Sequence, residues 1–276
     1  MNLVVQGPAL AAGDLDALAL LVKPQAVREI APRAFRLTGA LKNEGVAPLC
    51  EARRIDHAWM DEGRRFAELR LLAMDMDSTL ITIECIDELG DLAGRKAEIA
   101  AITGQAMRGE IEYRESLRRR VKALAGLPES SLSKVYEERL KLTPGAETLI
   151  SKCRQHGVQL LLVSGGFTFF TERLKQRLGL HHTISNVLEV KGGKLTGELV
   201  GEIVDADAKA AKFREVLSGL KAIRDQSVAI GDGANDLKMM AEAGLSIAFH
   251  AKPVVRAQAS CALTWSGLDG VVNLFE

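Results

Sequence analysis

No stretch of this sequence approaches the ~20 consecutive apolar residues of a membrane span, and no cationic segment followed by an apolar run opens it. A cytoplasmic protein is therefore expected. Cysteine is scarce: Cys50, Cys85, Cys153 and Cys261 are the only four, and they stand far apart. Without paired short spacings there is neither a zinc site nor a redox motif, so reduced, structural thiols are expected. An excess of one charge is also lacking. Lys plus Arg (36) balances Asp plus Glu (36), so no overall field attracts nucleic acid or an anionic membrane. Internal repeats and low-complexity tracts are absent too. What remains is an ordinary globular chain whose function lives in a local site. Its 276 residues, 47% of them hydrophobic, suffice for one large α/β domain or for a domain with a smaller appendage.

From about Leu69 onward, short apolar runs alternate with amphipathic helical stretches. The runs are "LRLLAMD", "GVQLLLVSGG", "QSVAIGDG", "LSIAFH" and "CALTW", the pattern of a parallel sheet covered on both faces by helices. "TPGAETLISKCRQHG" reads as a helix with Thr143 as N-cap, Pro144 at its first position and Gly157 as its stop. Residues 81 to 142 carry helical periodicity and no strand-like run, too long for a crossover loop, and are expected to form a helical cap. "ISNVLEVKGGKLTGELVGEIV" alternates around Gly192-Gly193 and predicts a β-hairpin. Residues 1 to 66 read as a small α/β accessory domain: "MNLVVQG" a strand, "DLDALALLVK" a helix, "AVREIAPRAFRLTG" a second strand, "DEGRRFAELR" a helical link. Asp56, His57 and Asp61 there lack a second ligand pair, which favours a solvated polar segment over a metal site.

The chemistry-bearing residues sit at strand ends. In an extended segment residues i and i+2 point to one side, so Asp75 and Asp77 of "AMDMDST" project together from the carboxyl end of the first core strand, where open α/β sheets bind ligands. Two buried carboxylates need a cation or a proton between them. A calcium loop fails, because Leu80 stands where Gly is needed and Ile86 where a bidentate Glu is needed. "VAIGDGAND" is a second apolar run ending on acids, Asp232 and Asp236, with Asn235 between them. It lacks the third glycine of a dinucleotide fingerprint and offers carboxylates where pyrophosphate would sit. If the two strands are neighbours, Asp75, Asp77 and Asp232 converge as hard oxygen ligands suited to Mg²⁺. "LLLVSGGF" adds Ser164 and two glycines ahead of the helical "TFFTERLKQRLG", a phosphate seat at a helix N-terminus. Lys209 in "DADAKAAKF" is one lysine among many.

"DMDST", "VSGGF", a Lys and "GDGAND", in that order, resemble the four motifs of the haloacid dehalogenase (HAD) superfamily of phosphotransferases, from about Leu69 to residue 276. The similarity narrows to its phosphoserine phosphatase family in "DMDSTLITIECIDELG", "LRRRVKALAGLP" and "GKLTGELVGEIVDADAK". The resemblance implies a HAD-like Rossmannoid parallel sheet flanked by helices over residues 67–276, with the cap at about 81–142. An ACT-like amino-acid-binding domain is one form that residues 1–66 could take.

It further implies Asp75 as nucleophile, Asp77 as acid–base group, and Mg²⁺ on Asp75, the backbone carbonyl of Asp77 and Asp232. Ser164, Gly165 and Lys209 would hold the phosphoryl oxygens, with Asn235 and Asp236 in support. Glu84 would meet the ammonium of phosphoserine and Arg120 its carboxylate, against readings of a helix N-terminal acid and a solvated face. Met107 and Tyr113 would close an apolar wall. The expected partner is O-phosphoserine as a small-molecule substrate, with a homodimer left open and neither nucleic acid nor membrane involved. Two alternatives stay open at this point: a phosphotransferase using an alcohol acceptor such as homoserine, and a non-catalytic amino-acid sensor built on a dead core.

Overall fold

In the computed structural model, which describes all residues from Met1 to Glu276, the chain opens with a small antiparallel sheet. Its elements are β1 (Asn2–Gln6), α1 (Ala12–Val22), β2 (Ala26–Ala31), β3 (Ala34–Thr38), α2 (Val46–Arg53) and β4 (Asp56–Met60). The strand order is β2-β3-β1-β4. Leu3, Val5 and Leu37 of the sheet pack with Leu18 and Val22 of α1 and with Val46 and Cys50 of α2. The segment expected as one strand, "AVREIAPRAFRLTG", is instead the hairpin β2–β3. Pro32 cannot donate to a ladder, and Arg33 adopts a left-handed φ of 57°, so the chain reverses there. The expected helical link shrinks to one 3₁₀ turn, Phe66–Glu68.

Asp56 overturns the expectation of a solvated segment. It is buried, and its carboxylate accepts the N–H groups of Thr264 (2.6 Å), Trp265 (3.1 Å) and Ser266 (2.8 Å). Beside it, Gln6 donates to the Gly270 carbonyl (2.9 Å) and Arg36 to that of Phe275 (2.7 Å). These bonds form a seam between the small sheet and residues 264–275. Asp56→Ala strips acceptors from buried N–H groups and should lower stability by ~1–3 kcal/mol, read as a shifted urea midpoint at constant slope. An unchanged midpoint would show that the carboxylate does not join the two parts.

The second sheet starts at β5 (Leu71–Met74). Four helices follow: α3 (Cys85–Leu92), α4 (Lys96–Met107), α5 (Tyr113–Lys122) and α6 (Ser130–Lys134), the last continued by a wider turn to Arg139. Ile81 bridges Leu142, closing the neck of this helical excursion. The chain then runs α7 (Ala146–Gln155), β6 (Gln159–Phe167), α8 (Thr168–Leu178), β7 (His182–Lys191), β8 (Lys194–Val200) and α9 (Ala206–Gly219). It goes on with β9 (Ser227–Gly231), α10 (Leu237–Glu242), β10 (Leu245–Phe249), α11 (Pro253–Arg256) and β11 (Cys261–Leu263), and closes on a 3₁₀ stretch, Leu268–Leu274. Helix α7 starts later than expected: Thr143 and Pro144 lie in a turn that Gly145 completes with φ 81°. The predicted hairpin is β7–β8, turned by Gly192 (φ 59°) and Gly193 (φ 72°).

The order β11-β10-β9-β5-β6-β7-β8 is parallel except for β8. Leu72, Met74, Leu160 and Leu162 pack into the larger core on one face. Leu71, Ala73, Leu161 and Val163 pack on the other, against Phe213 of α9 and Met239 and Met240 of α10. Period-2 alternation between two apolar faces is why these strands read as unbroken apolar runs. β5 lies between β9 and β6, so whatever leaves the carboxyl ends of these three strands meets at one edge. No helix is long and apolar enough to cross a membrane.

Candidate active site

Asp75 is the first residue beyond β5, and its N–H donates to the Ile230 carbonyl of β9 (3.0 Å). Asp75 and Asp77 are both extended, after which Ser78 takes a left-handed φ of 57° and the chain turns away. Both carboxylates line the same cleft, of about 760 Å³, although not by the alternation expected of an extended segment, because Met76 between them takes a helical turn. Asp77 Oδ1 accepts the N–H of Cys85 at the start of α3 (2.9 Å). Burial, reinforced by Glu84 and offset by that N–H, pushes the Asp77 carboxyl up to about 7.

Lys209 is fully buried on α9. Its ammonium donates to Asp236 Oδ1 (2.7 Å) and to Asp75 Oδ1, while Asp236 Oδ2 accepts the Gly233 N–H (3.1 Å). Burial pulls the ammonium down, but Asp236 and Asp75 outweigh it and keep Lys209 charged. Burial pushes Asp75 well above the usual carboxylate range. Lys209 pulls it back, and Asp236, Asp232 and Asp77 push further. Asp232 is raised to about 7, by burial first and then by Asp236 and Glu84. One buried ammonium thus serves several crowded carboxylates, and the edge is short of positive charge. Oxygen atoms of Asp75, Asp232 and Asp236 lie within 4.8 Å of one another. Both Asp236 oxygens are already used, which leaves Asp75 and Asp232 as hard donors that a divalent cation fits.

Of the residues singled out in the sequence, Asp75, Asp77, Glu84, Arg120, Gly165, Asp232 and Asn235 line the cleft. Ser164, Lys209 and Asp236 are buried beneath it. Ser164 Oγ accepts the Gly166 N–H (2.8 Å). The helix expected after this loop begins at Thr168, as read from the sequence, and β6 runs up to Phe167 ahead of it. The reason for the glycines is space: a Cβ on Gly166 would lie 2.8 Å from Asp77 Oδ2. Glu84 is the N-cap residue of α3 and accepts from Ser78 Oγ (2.7 Å). Burial, partly offset by that bond, raises its carboxyl. Arg120 faces the cleft from α5 with its Nε buried and unpartnered, whereas Arg118 and Arg119 are exposed, Arg119 bonding Glu115 (2.6 Å). Met107 lines the cleft at its rim and is 64% exposed.

Sequence reasoning missed Asn186. Buried in β7, it donates to the Gly165 carbonyl (2.8 Å) and accepts the Val204 N–H (2.8 Å), tying the Ser164 loop to the approach of α9. A polar amide inside a strand-like run was the only available signal. It missed Arg114 and Asp205 as well. Arg114 Nε on α5 donates to Asp205 (2.7 Å), and Asp205 also caps α9 by accepting from Asp207 and Ala208. The cap helix and the Lys209 helix are joined at their first turns.

Residues 72–241 match the family model for haloacid dehalogenase-like hydrolases, and residues 3–48 match a domain of unknown function. A phosphoserine phosphatase from a Polaromonas species is 53% identical over 217 residues, 77% of this chain and 92% of its own length. The unliganded structure of a probable phosphoserine phosphatase from Vibrio cholerae superposes with a TM-score of 0.84 at 37% identity, covering 99% of this chain and 85% of that one. A structure described as a phospho-aspartyl intermediate analogue of phosphoserine phosphatase superposes with a TM-score of 0.71 at 36% identity, covering 75% of this chain and 99% of that one.

Proposed function

The chain belongs to the haloacid dehalogenase-like hydrolases, and from that premise we propose that it hydrolyses O-phosphoserine to serine and phosphate through an aspartyl-phosphate. One observation carries the reading. Asp75 and Asp77 share a cleft floor with buried Lys209 beneath it, and Glu84 and Arg120 face that same cleft from the helices above. The floor suits a phosphoryl group, and the roof suits a zwitterionic amino acid.

In this mechanism a carboxylate oxygen of Asp75 attacks phosphorus, and the bond from phosphorus to the serine oxygen breaks. Asp77 gives its proton to that departing oxygen. It then takes a proton from the water that attacks the aspartyl-phosphate, releasing phosphate and restoring Asp75. A carboxyl raised to about 7 suits a group that must both give and take a proton near neutrality. Lys209, Ser164 and Gly165 would hold phosphoryl oxygens, Asn235 and Asp236 would keep them and Lys209 in place, and Glu84 and Arg120 would bind the ammonium and carboxylate. Asp75, Asp232 and the Asp77 carbonyl would hold Mg²⁺, whose chemistry is to neutralise charge on the phosphoryl oxygens. Residues 1 to 66 supply no reacting group. A cytoplasmic enzyme acting on a small charged metabolite completes the reading.

The test is release of free phosphate and serine from O-phosphoserine. Equal amounts of both products with Mg²⁺, and loss of activity on chelation with recovery on Mg²⁺ addition, are expected. Phosphate appearing on an added alcohol instead of in solution would replace hydrolysis with transfer, and full activity in chelator would remove the metal from the scheme.

A further inference from the structure

Tyr113 opens α5 and lines the cleft. Its ring is partly buried and packs against the larger core, while its hydroxyl reaches toward the Ser164–Gly166 loop. A Cβ built on Gly165 would collide with Tyr113 Oη, so the hydroxyl rests directly on the backbone of the Ser164–Gly166 loop. The glycine at 165 is what lets a cap residue descend that far. Both sides of this contact are fixed. On the floor, Asn186 holds the Gly165 carbonyl (2.8 Å) and Ser164 holds the Gly166 N–H (2.8 Å). On the cap, the adjacent Arg114 anchors the first turn of α5 to Asp205, the N-cap of the helix that carries Lys209.

No hydrogen bond within the chain engages Tyr113 Oη, although the loop backbone it rests on is held by Asn186 and Ser164. Burial raises the phenol pKa; Lys209 and Arg120 lower it, and Asp75 and Asp236 raise it, so the hydroxyl lies within the field of the site's own charges and stays an O–H donor. Tyr113 and Arg120 stand seven residues apart, two turns of α5, and so share one helix face. One helix reaches the cleft at two points: near the phosphate loop through Tyr113, and further along through Arg120.

We propose that Tyr113 is a further catalytic residue whose hydroxyl donates a hydrogen bond to a phosphoryl oxygen seated at the Ser164–Gly165 loop. This rests on the reading of that loop as the phosphate seat. The cap then touches the reacting group itself as well as the amino acid, and phosphate in the seat gives the closed cap a bond that the empty site lacks. Because the hydroxyl meets only the phosphoryl group, its contribution is blind to what the phosphate is attached to.

Tyr113→Phe tests this, since the ring stays and only the oxygen leaves. Relative to the unsubstituted enzyme with Mg²⁺, kcat/KM should fall about 10- to 100-fold, the loss of one hydrogen bond to a charged group. The factor should be the same for O-phosphoserine and for a simple aryl phosphate, and inhibition by inorganic phosphate should weaken alongside. Unchanged kcat/KM on both substrates with unchanged phosphate inhibition would overturn the proposal. A loss confined to phosphoserine would also overturn it, by reassigning the hydroxyl to the amino acid. If the unsubstituted enzyme turns over the aryl phosphate but not phosphoserine, the substrate reading fails while the Tyr113 comparison on the aryl phosphate and on phosphate inhibition still decides this inference. A melting temperature equal to that of the unsubstituted enzyme secures the comparison.

Discussion

Asp75→Asn is expected to lower kcat by roughly 10⁴- to 10⁶-fold, the range seen when a covalent nucleophile is removed, while the fold persists. The amide keeps an oxygen for the Lys209 ammonium, so the buried contact is weakened rather than emptied. It cannot supply the anionic oxygen that attacks phosphorus. Two measurements separate chemistry from folding. Phosphate release from O-phosphoserine should drop to the detection limit, and acid quenching of the unsubstituted enzyme with labelled substrate should trap a phosphoenzyme that the variant does not form. Circular dichroism should be unchanged. Near-normal turnover in a folded variant would take the nucleophile role away from Asp75 and leave Asp77 as the candidate.

The second large effect concerns selectivity. Arg120→Ala should reduce kcat/KM for phosphoserine by roughly 30-fold to several thousand-fold, since truncating one partner of a buried charged pair costs ~2–5 kcal/mol. An aryl phosphate has no carboxylate to lose, and its kcat/KM should change by no more than a few-fold. The guanidinium has a buried Nε with no partner within the chain, which fits a group waiting for an anion. Glu84→Ala should show the same asymmetry through the ammonium. Equal losses on both substrates would mean that these residues support the cap, and phosphoserine would lose its main physical argument. With Tyr113→Phe the three variants form a contrast: two that discriminate between substrates and one that does not.

The parts legible from sequence were those governed by short-range rules. Period-2 faces buried on both sides made β5, β6, β9 and β10 visible as apolar runs, and the run ending on Asp75 and Asp77 marked the strand end where both acids line the cleft, though the turn at Met76 rather than strand alternation sets them there. Convergence of the β5 and β9 ends was conditional on their pairing, which the sheet order supplies. What failed depended on distant partners. Asp56 looked like a surface acid because its three N–H donors lie more than 200 residues away. Asn186 looked like an indifferent strand residue because its two bonds go to separate loops. The glycines of "SGGF" suggested backbone freedom for phosphate, whereas Gly165 and Gly166 are needed because Tyr113 and Asp77 occupy the space a Cβ would fill. Their spacing alone does not reveal which neighbour descends on them.

The seam at Asp56 also decides what light can see. The chain has two tryptophans: Trp59 on β4 packs into the small sheet's own core, on the face opposite Asp56, whereas Trp265 lies in the segment whose N–H groups Asp56 receives, and neither lines the cleft. Fluorescence of Trp265, isolated by Trp59→Phe, therefore monitors the docking of the small sheet. That docking joins residues 208 apart and demands a large loop closure, which separates it in time from the local pairing of β2 with β3. A refolding trace of the Trp59→Phe variant recorded at the tryptophan wavelengths would report the closing of that long loop, and a separate probe in the cleft would be needed to time the catalytic edge.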